Sequence, residues 1–126
     1  MAKIKIAQNP TFSAAVLLPR VGAEPVEVKF EFRYFDRLAL AEMFDRWNQA
    51  RELLADQAKE GATWAEVTRS EVQLQADQIK EIVHGWGLQD EYTDETVRQL
   101  VLTCTGAPKA VIDAYQAAYA PARLGN

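Results

Sequence analysis

A single cysteine, Cys104, and a single histidine, His84, stand in a chain of 126 residues. One cysteine closes no internal disulfide and builds no thiolate cage, which excludes the stapled secreted mini-protein and the zinc module. Long apolar runs are missing as well. The stretch "AAVLL", Ala14 to Leu18, is far short of the ~20 residues that cross a bilayer, and no basic segment, apolar run and small-residue cleavage site precede it. A cytoplasmic protein without membrane contact is therefore expected. An excess of base is also absent: 14 Lys and Arg stand against 18 Asp and Glu, a net charge of −4, and the bases Lys3, Lys5, Arg20, Arg33, Arg37, Arg51, Arg69, Lys109 and Arg123 form no stripe. Nucleic acid is accordingly not an expected partner.

What is present is an ordinary globular composition, 48% hydrophobic and 25% charged. A chain of this length buries roughly 65–70% of its unfolded surface, enough for a single domain over residues 1–126. Its first third reads as β structure. In "VEVKFEFRYF", Val26, Val28, Phe30, Phe32 and Tyr34 alternate with Glu27, Lys29, Glu31 and Arg33, the pattern of a strand with one buried and one wet face. With "TFSAAVLLP" upstream and the turn signal "PRVGAEP" between them, a hairpin over about 11–34 follows. "KIKI", Lys3 to Ile6, also alternates, but Asn9-Pro10 interrupts it before the first strand.

From Asp36 the period becomes helical, and a mainly α-helical part of four to five helices is expected over about 36–122. Asp36 caps a helix whose apolar stripe is Leu40, Met43, Phe44, Trp47, Leu54 and Ala58, ended by Gly61. "TWAE", Thr63 to Glu66, has the form of a capping box, and Ser70 offers a second start. Val72, Ala76, Ile79 and Val83 then share a face, Ile82 borders it, and Gly85 is the expected stop, with His84 in the last helical turn and Trp86 packed back on that helix. Thr93 caps a further helix burying Val97, Leu100, Val101 and Cys104. Pro108 begins the last one, which brings Val111, Ala114, Tyr115 and Ala118 together until Pro121. The fold class is α+β, an N-terminal β-hairpin followed by a helical bundle.

The segment "KEIVHGWGLQDEYTDE", Lys80 to Glu95, invites an enzymatic reading because His84 stands close to Asp90, Glu91, Asp94 and Glu95. No H-E-x-x-H or D-x-D-x-D-G spacing supports it, the acids suit a loop and a helix N-terminus, and "GWG" cradles no phosphate. No catalytic, cofactor-binding or metal-binding residue is expected, and a small metal-dependent hydrolase is the weakest reading. The partner-contact candidates are Phe44, Trp47, Arg51, Trp64, Tyr115 and Tyr119; Phe44 and Trp47 also suit the core, Arg51 a packed stem with its guanidinium in water, and Tyr115 and Tyr119 either the core or a contact within a homo-oligomer.

Three segments, "FEFRYFDR", "ADQIKEIVHGWGLQDEYTDE" and "GAPKAVIDAYQAAYAPARLGN", taken in this order, resemble the tail assembly chaperones of long-tailed, siphovirus-type bacteriophages and prophages. The resemblance runs from about Phe30 to Asn126 and rests on "IVHGW", the pair Tyr92 and Glu95, and the series GA, AV, AY and LGN. The chain departs from it at Cys104-Thr105, where an aromatic and a proline are expected. The resemblance implies a non-enzymatic protein of the infected bacterial cytoplasm, absent from the mature virion. It also implies binding to the tape measure protein, keeping it soluble and assisting polymerisation of the tail tube. Contact with the major tail protein through a longer, ribosomally frameshifted form belongs to the same picture. Leu124-Gly125-Asn126 fits a slippery heptamer of the form X XXY YYZ if the codons are a leucine codon ending in G, then GGA, then AAC or AAU; GGC for Gly125 abolishes it. The alternative is a structural tail-completion or connector subunit that assembles as a ring.

Overall fold

The computed structural model describes residues 3–120. Two long strands, β1 (Thr11–Arg20) and β2 (Ala23–Arg33), form the expected hairpin, and four helices follow: α1 (Arg37–Lys59), α2 (Trp64–Ile82), α3 (Asp94–Thr103) and α4 (Ala107–Tyr119). A short strand, β3 (Val83–Trp86), adds to β2 and makes the sheet three-stranded in the order β1-β2-β3. The hairpin and helical parts thus appear as expected, whereas β3 does not.

Alternation in β2 does what the pattern requires. Val28, Phe30 and Phe32 are buried while Glu27, Lys29 and Glu31 are exposed, and the antiparallel register sets Val16 against Val28, Ala14 against Phe30 and Phe12 against Phe32. The turn is made by Gly22, whose positive φ of 72° is strained for residues with a Cβ. On the inner face, α2 and α4 close the core, where Phe30, Phe32, Ile79, Ile82, Val97, Val111 and Tyr115 are fully buried. The corner between α3 and α4 docks on the hairpin turn. Cys104 Sγ donates to the Pro19 carbonyl at 3.0 Å, and a Cβ on Gly106 would come within 2.6 Å of the Pro19 ring. Cys104 is thereby a buried packing residue, and Gly106 is required for close approach rather than for an unusual dihedral.

Helix boundaries follow local chemistry. Asp36 accepts from Ala39 N at 2.9 Å, Thr63 and Glu66 form the reciprocal capping box, and Thr93 and Thr96 form a second one. Gly61, at φ 91°, follows the end of α1. Ser70 does not start a helix: α2 runs unbroken for 19 residues from Trp64, because the apolar face of Val72, Ala76 and Ile79 makes one continuous stripe worth burying. Nor does Gly85 end one. The helix stops at Ile82, and Val83–Trp86 turns into a strand because β2 offers unpaired backbone groups on that side; Gly87 N donates to Lys29 O at 2.8 Å. His84 consequently lies on a strand, not in a last helical turn. Trp86 packs edge-to-face on Phe30 and Tyr92, and its Nε1 donates to the Asp90 carbonyl at 2.8 Å. At the other end, Lys3–Ile6 forms no strand. In α4, Ala118 is exposed instead of buried with Tyr115, and the expected stop at Pro121 lies outside the described residues.

Candidate functional site

Helix α1 is 23 residues long, yet Met43 is its only buried residue. Its first half is held by half-buried Leu40, Phe44 and Trp47, which pack against the core. Glu81 on α2 fixes this half in place: Trp47 Nε1 donates to one carboxylate oxygen at 2.8 Å and Arg46 Nη2 to the other at 2.7 Å. Phe44 and Trp47 stand edge-to-face at 5.5 Å. Beyond this clamp the second half of α1 and the first half of α2 project together as a helical arm.

The arm carries apolar surface that the described residues leave uncovered. Leu53 is 71% exposed and Trp64, at the base of α2's first turn, 91% exposed. Between the helices runs an open groove lined by Ala50, Leu53 and Leu54 of α1 and Leu74 of α2, with Gln57, Ser70, Gln73 and Asp77 along its sides. A large apolar residue exposed on such a surface is costly only if nothing covers it, and clustered ones mark contact surfaces. Arg51 is exposed on the same arm. Of the residues singled out from the sequence, Phe44 and Trp47 therefore adjoin at the arm's base, Arg51 and Trp64 lie farther out, and Leu53 joins them. Leu53 was missed, although consecutive leucines in a helix point about 100° apart, so Leu53 and Leu54 cannot both face one narrow core stripe.

Tyr115 and Tyr119 occupy a different place. Tyr115 is fully buried and its hydroxyl donates to Arg33 O at 2.9 Å; Tyr119 is half-buried, its hydroxyl 2.9 Å from that of Tyr115 and accepting from Phe35 N at 3.0 Å. With the Tyr115 proton committed to Arg33, Tyr119 donates to Tyr115. This relay ties the exit of β2 to α4 and leaves Tyr115 no outward surface. Burial pushes the Tyr115 hydroxyl far above its ordinary pKa of 10.0, and burial raises Tyr92, which donates to Val83 O at 2.7 Å. A folded-state pKa raised above the unfolded value contributes stability that is complete below pH ~10 and declines as pH rises beyond it. Denaturant unfolding at pH 8 and pH 11 should therefore show a lower midpoint at the higher pH, and Tyr115→Phe should flatten the difference; an unchanged pH dependence in that variant contradicts the assignment.

The His84 neighbourhood is plain by comparison. His84 is exposed on β3, Asp94 and Glu95 occupy the first turn of α3, and Lys80 Nζ lies 3.8 Å from Asp94. Among the described residues, no group of three or more His, Cys, Asp and Glu side chains is placed to hold a metal ion. His84→Ala is expected to leave both fold and partner binding at wild-type level, checked by thermal unfolding and by the solubility assay described below. Among the described residues no helix is long and apolar enough to cross a membrane.

A family model described as phage tail assembly chaperone matches residues 1–126. No curated protein and no solved structure matches the chain.

Proposed function

This chain belongs to the phage tail assembly chaperone family, and from that membership we propose that it binds the tape measure protein, keeps it soluble and assists polymerisation of the tail tube around it. The observation that supports this reading is the helical arm, whose Trp64, Leu53 and inter-helix groove present apolar surface with no partner among the described residues. A long helical rod exposes apolar stripes along its length, and a groove between two helices is a shape that takes an amphipathic helix. Many modest contacts along one rod add by avidity while each stays displaceable, which suits a cover that must yield to tube subunits. Phe44, Trp47 and Arg51 extend the contact toward the arm's base. Tyr119 borders a separate surface, and Tyr115 contributes by holding α4 in position.

The role is non-enzymatic and is carried out in the cytoplasm of the bacterial host, with the chaperone absent from the finished virion. Contact with the major tail protein falls to a longer, frameshifted product whose shared part ends near Leu124, outside the described residues. Co-expression tests the main claim. The tape measure protein should move from the insoluble to the soluble fraction when this chain is made with it and co-purify with the chain; equal solubility with and without the chain refutes the proposal.

A further inference from the structure

Two features of the N-terminal region have no partner among the described residues. The first is the outer edge of the sheet. Among the described residues β1 pairs only with β2. Tyr34 N donates to Pro10 O at 2.8 Å, so in the alternating antiparallel ladder residues of even number on β1 bond to β2. The backbone N–H and C=O groups of Thr11, Ser13, Ala15 and Leu17 therefore point away from β2 along an open edge. Edge strands are ordinarily protected by charge, proline or brevity. This one runs from Thr11 to Leu18 without a charged residue or a proline.

The second feature is the segment Lys3–Ile6. Ile4 is 98% exposed and Ile6 fully exposed, while Lys3 and Lys5 alternate with them. This is the pattern of a strand with one apolar face, but in the domain it joins no sheet. Its own β1 edge is a poor acceptor. Folding back through a three-residue loop, Gln8 to Pro10, would set Ile6 over Phe12 on the core side, but that loop needs a left-handed conformation at its last residue, and the ring of Pro10 holds φ near about −65°. Loops one residue shorter or longer invert the faces, sending both isoleucines to water and the lysines to the core. A five-residue loop, Gln8 to Phe12, would face Ile6 inward over Ala14, but only by giving up Phe12 as an edge residue, and Lys3–Ile6 stays unpaired in the single copy.

We infer that Lys3–Ile6 is a donor strand that pairs in trans with the open β1 edge of a second copy of this chain. There Ile4 and Ile6 extend the inner apolar row of Phe12, Ala14, Val16 and Leu18. The lysines project on the outer face beside the uncharged Ser13, Ala15 and Leu17 of β1, so the alternation itself favours this occupant. The contact is independent of the arm and of the tape measure reading.

Sedimentation of the full chain over a range of concentrations tests it, with two variants. Ile4→Asp combined with Ile6→Asp removes the donor without disturbing the fold, since both side chains are solvated in the single copy. Ala15→Pro removes one outward N–H from the acceptor edge, a position where the chain itself makes no use of it. Wild type should associate reversibly, and each variant should raise the dissociation constant at least tenfold. An equimolar mixture of the two variants should regain association, because one keeps the edge and the other keeps the donor. A wild type that stays monomeric throughout, a donor variant that associates like wild type, or a mixture no better than its components overturns the inference.

Discussion

Phe32→Ala is expected to lower the unfolding free energy by about 3–5 kcal/mol, a large part of the roughly 5–15 kcal/mol that holds a domain of this size together. Phe32 is fully buried on the central strand and lies between Phe12 and Val83 in the sheet register. Its ring touches three others, with centroids 5.6 Å from Phe12, 6.0 Å from Phe30 and 5.3 Å from Tyr115. Truncation therefore costs the transfer of the ring and leaves a cavity bounded by strands on two sides, which cannot collapse easily. Glu31→Ala, one residue away on the outer face, should change stability by less than about 0.5 kcal/mol. Urea midpoints of the two variants measure the contrast. Similar small losses in both would mean that the inner face of the hairpin is not the centre of the core.

Leu53→Asp combined with Trp64→Ala should return the tape measure protein to the solubility it has without the chaperone, while leaving the chaperone's own unfolding midpoint almost unchanged. Both side chains lie mostly in water, so neither change opens a cavity in the core. What changes is the arm's apolar surface: a carboxylate at the groove's rim has to be desolvated before a helix can seat there, and a contact anchor is lost at Trp64. Truncating Arg51 alone should have a smaller effect, since a solvated charge on the rim contributes little affinity. Full solubilisation by the double variant would remove the arm from the mechanism, without bearing on whether the chain solubilises the tape measure protein by another face.

Much of the fold was legible because its signals are local. Period-two alternation from Val26 to Phe32 needs no distant information, and Asp36, Thr63 and Thr93 satisfy helix N-terminal amides within three residues of themselves. Strand β3 was not legible. "VHGW" is too short to show a period, and it is a strand only because Phe30 and Phe32 on β2 stand beside it, about 50 residues earlier in the chain. Ser70 misled for a related reason: a serine caps or rides within a helix according to what the following face packs on. At the candidate surface, Trp64 was legible from its position at a helix start after a glycine. Leu53 could have been read too, since it lies about 100° from Leu54 and off the apolar stripe, but that an inter-helix groove forms beside it depends on where α2 packs.

The direct passage from α2 into β3 joins the arm to the sheet without a hinge. Ile82 ends the helix and Val83 begins the strand, with no loop residue between them to absorb a rotation. A 19-residue helix is about 28 Å long, so the arm acts as a lever whose short end is hydrogen-bonded to β2. A load applied near Trp64 therefore reaches the β2–β3 pairing with no loop in between to absorb it. Whatever seats on the arm is thus coupled directly to the sheet on which the core is built.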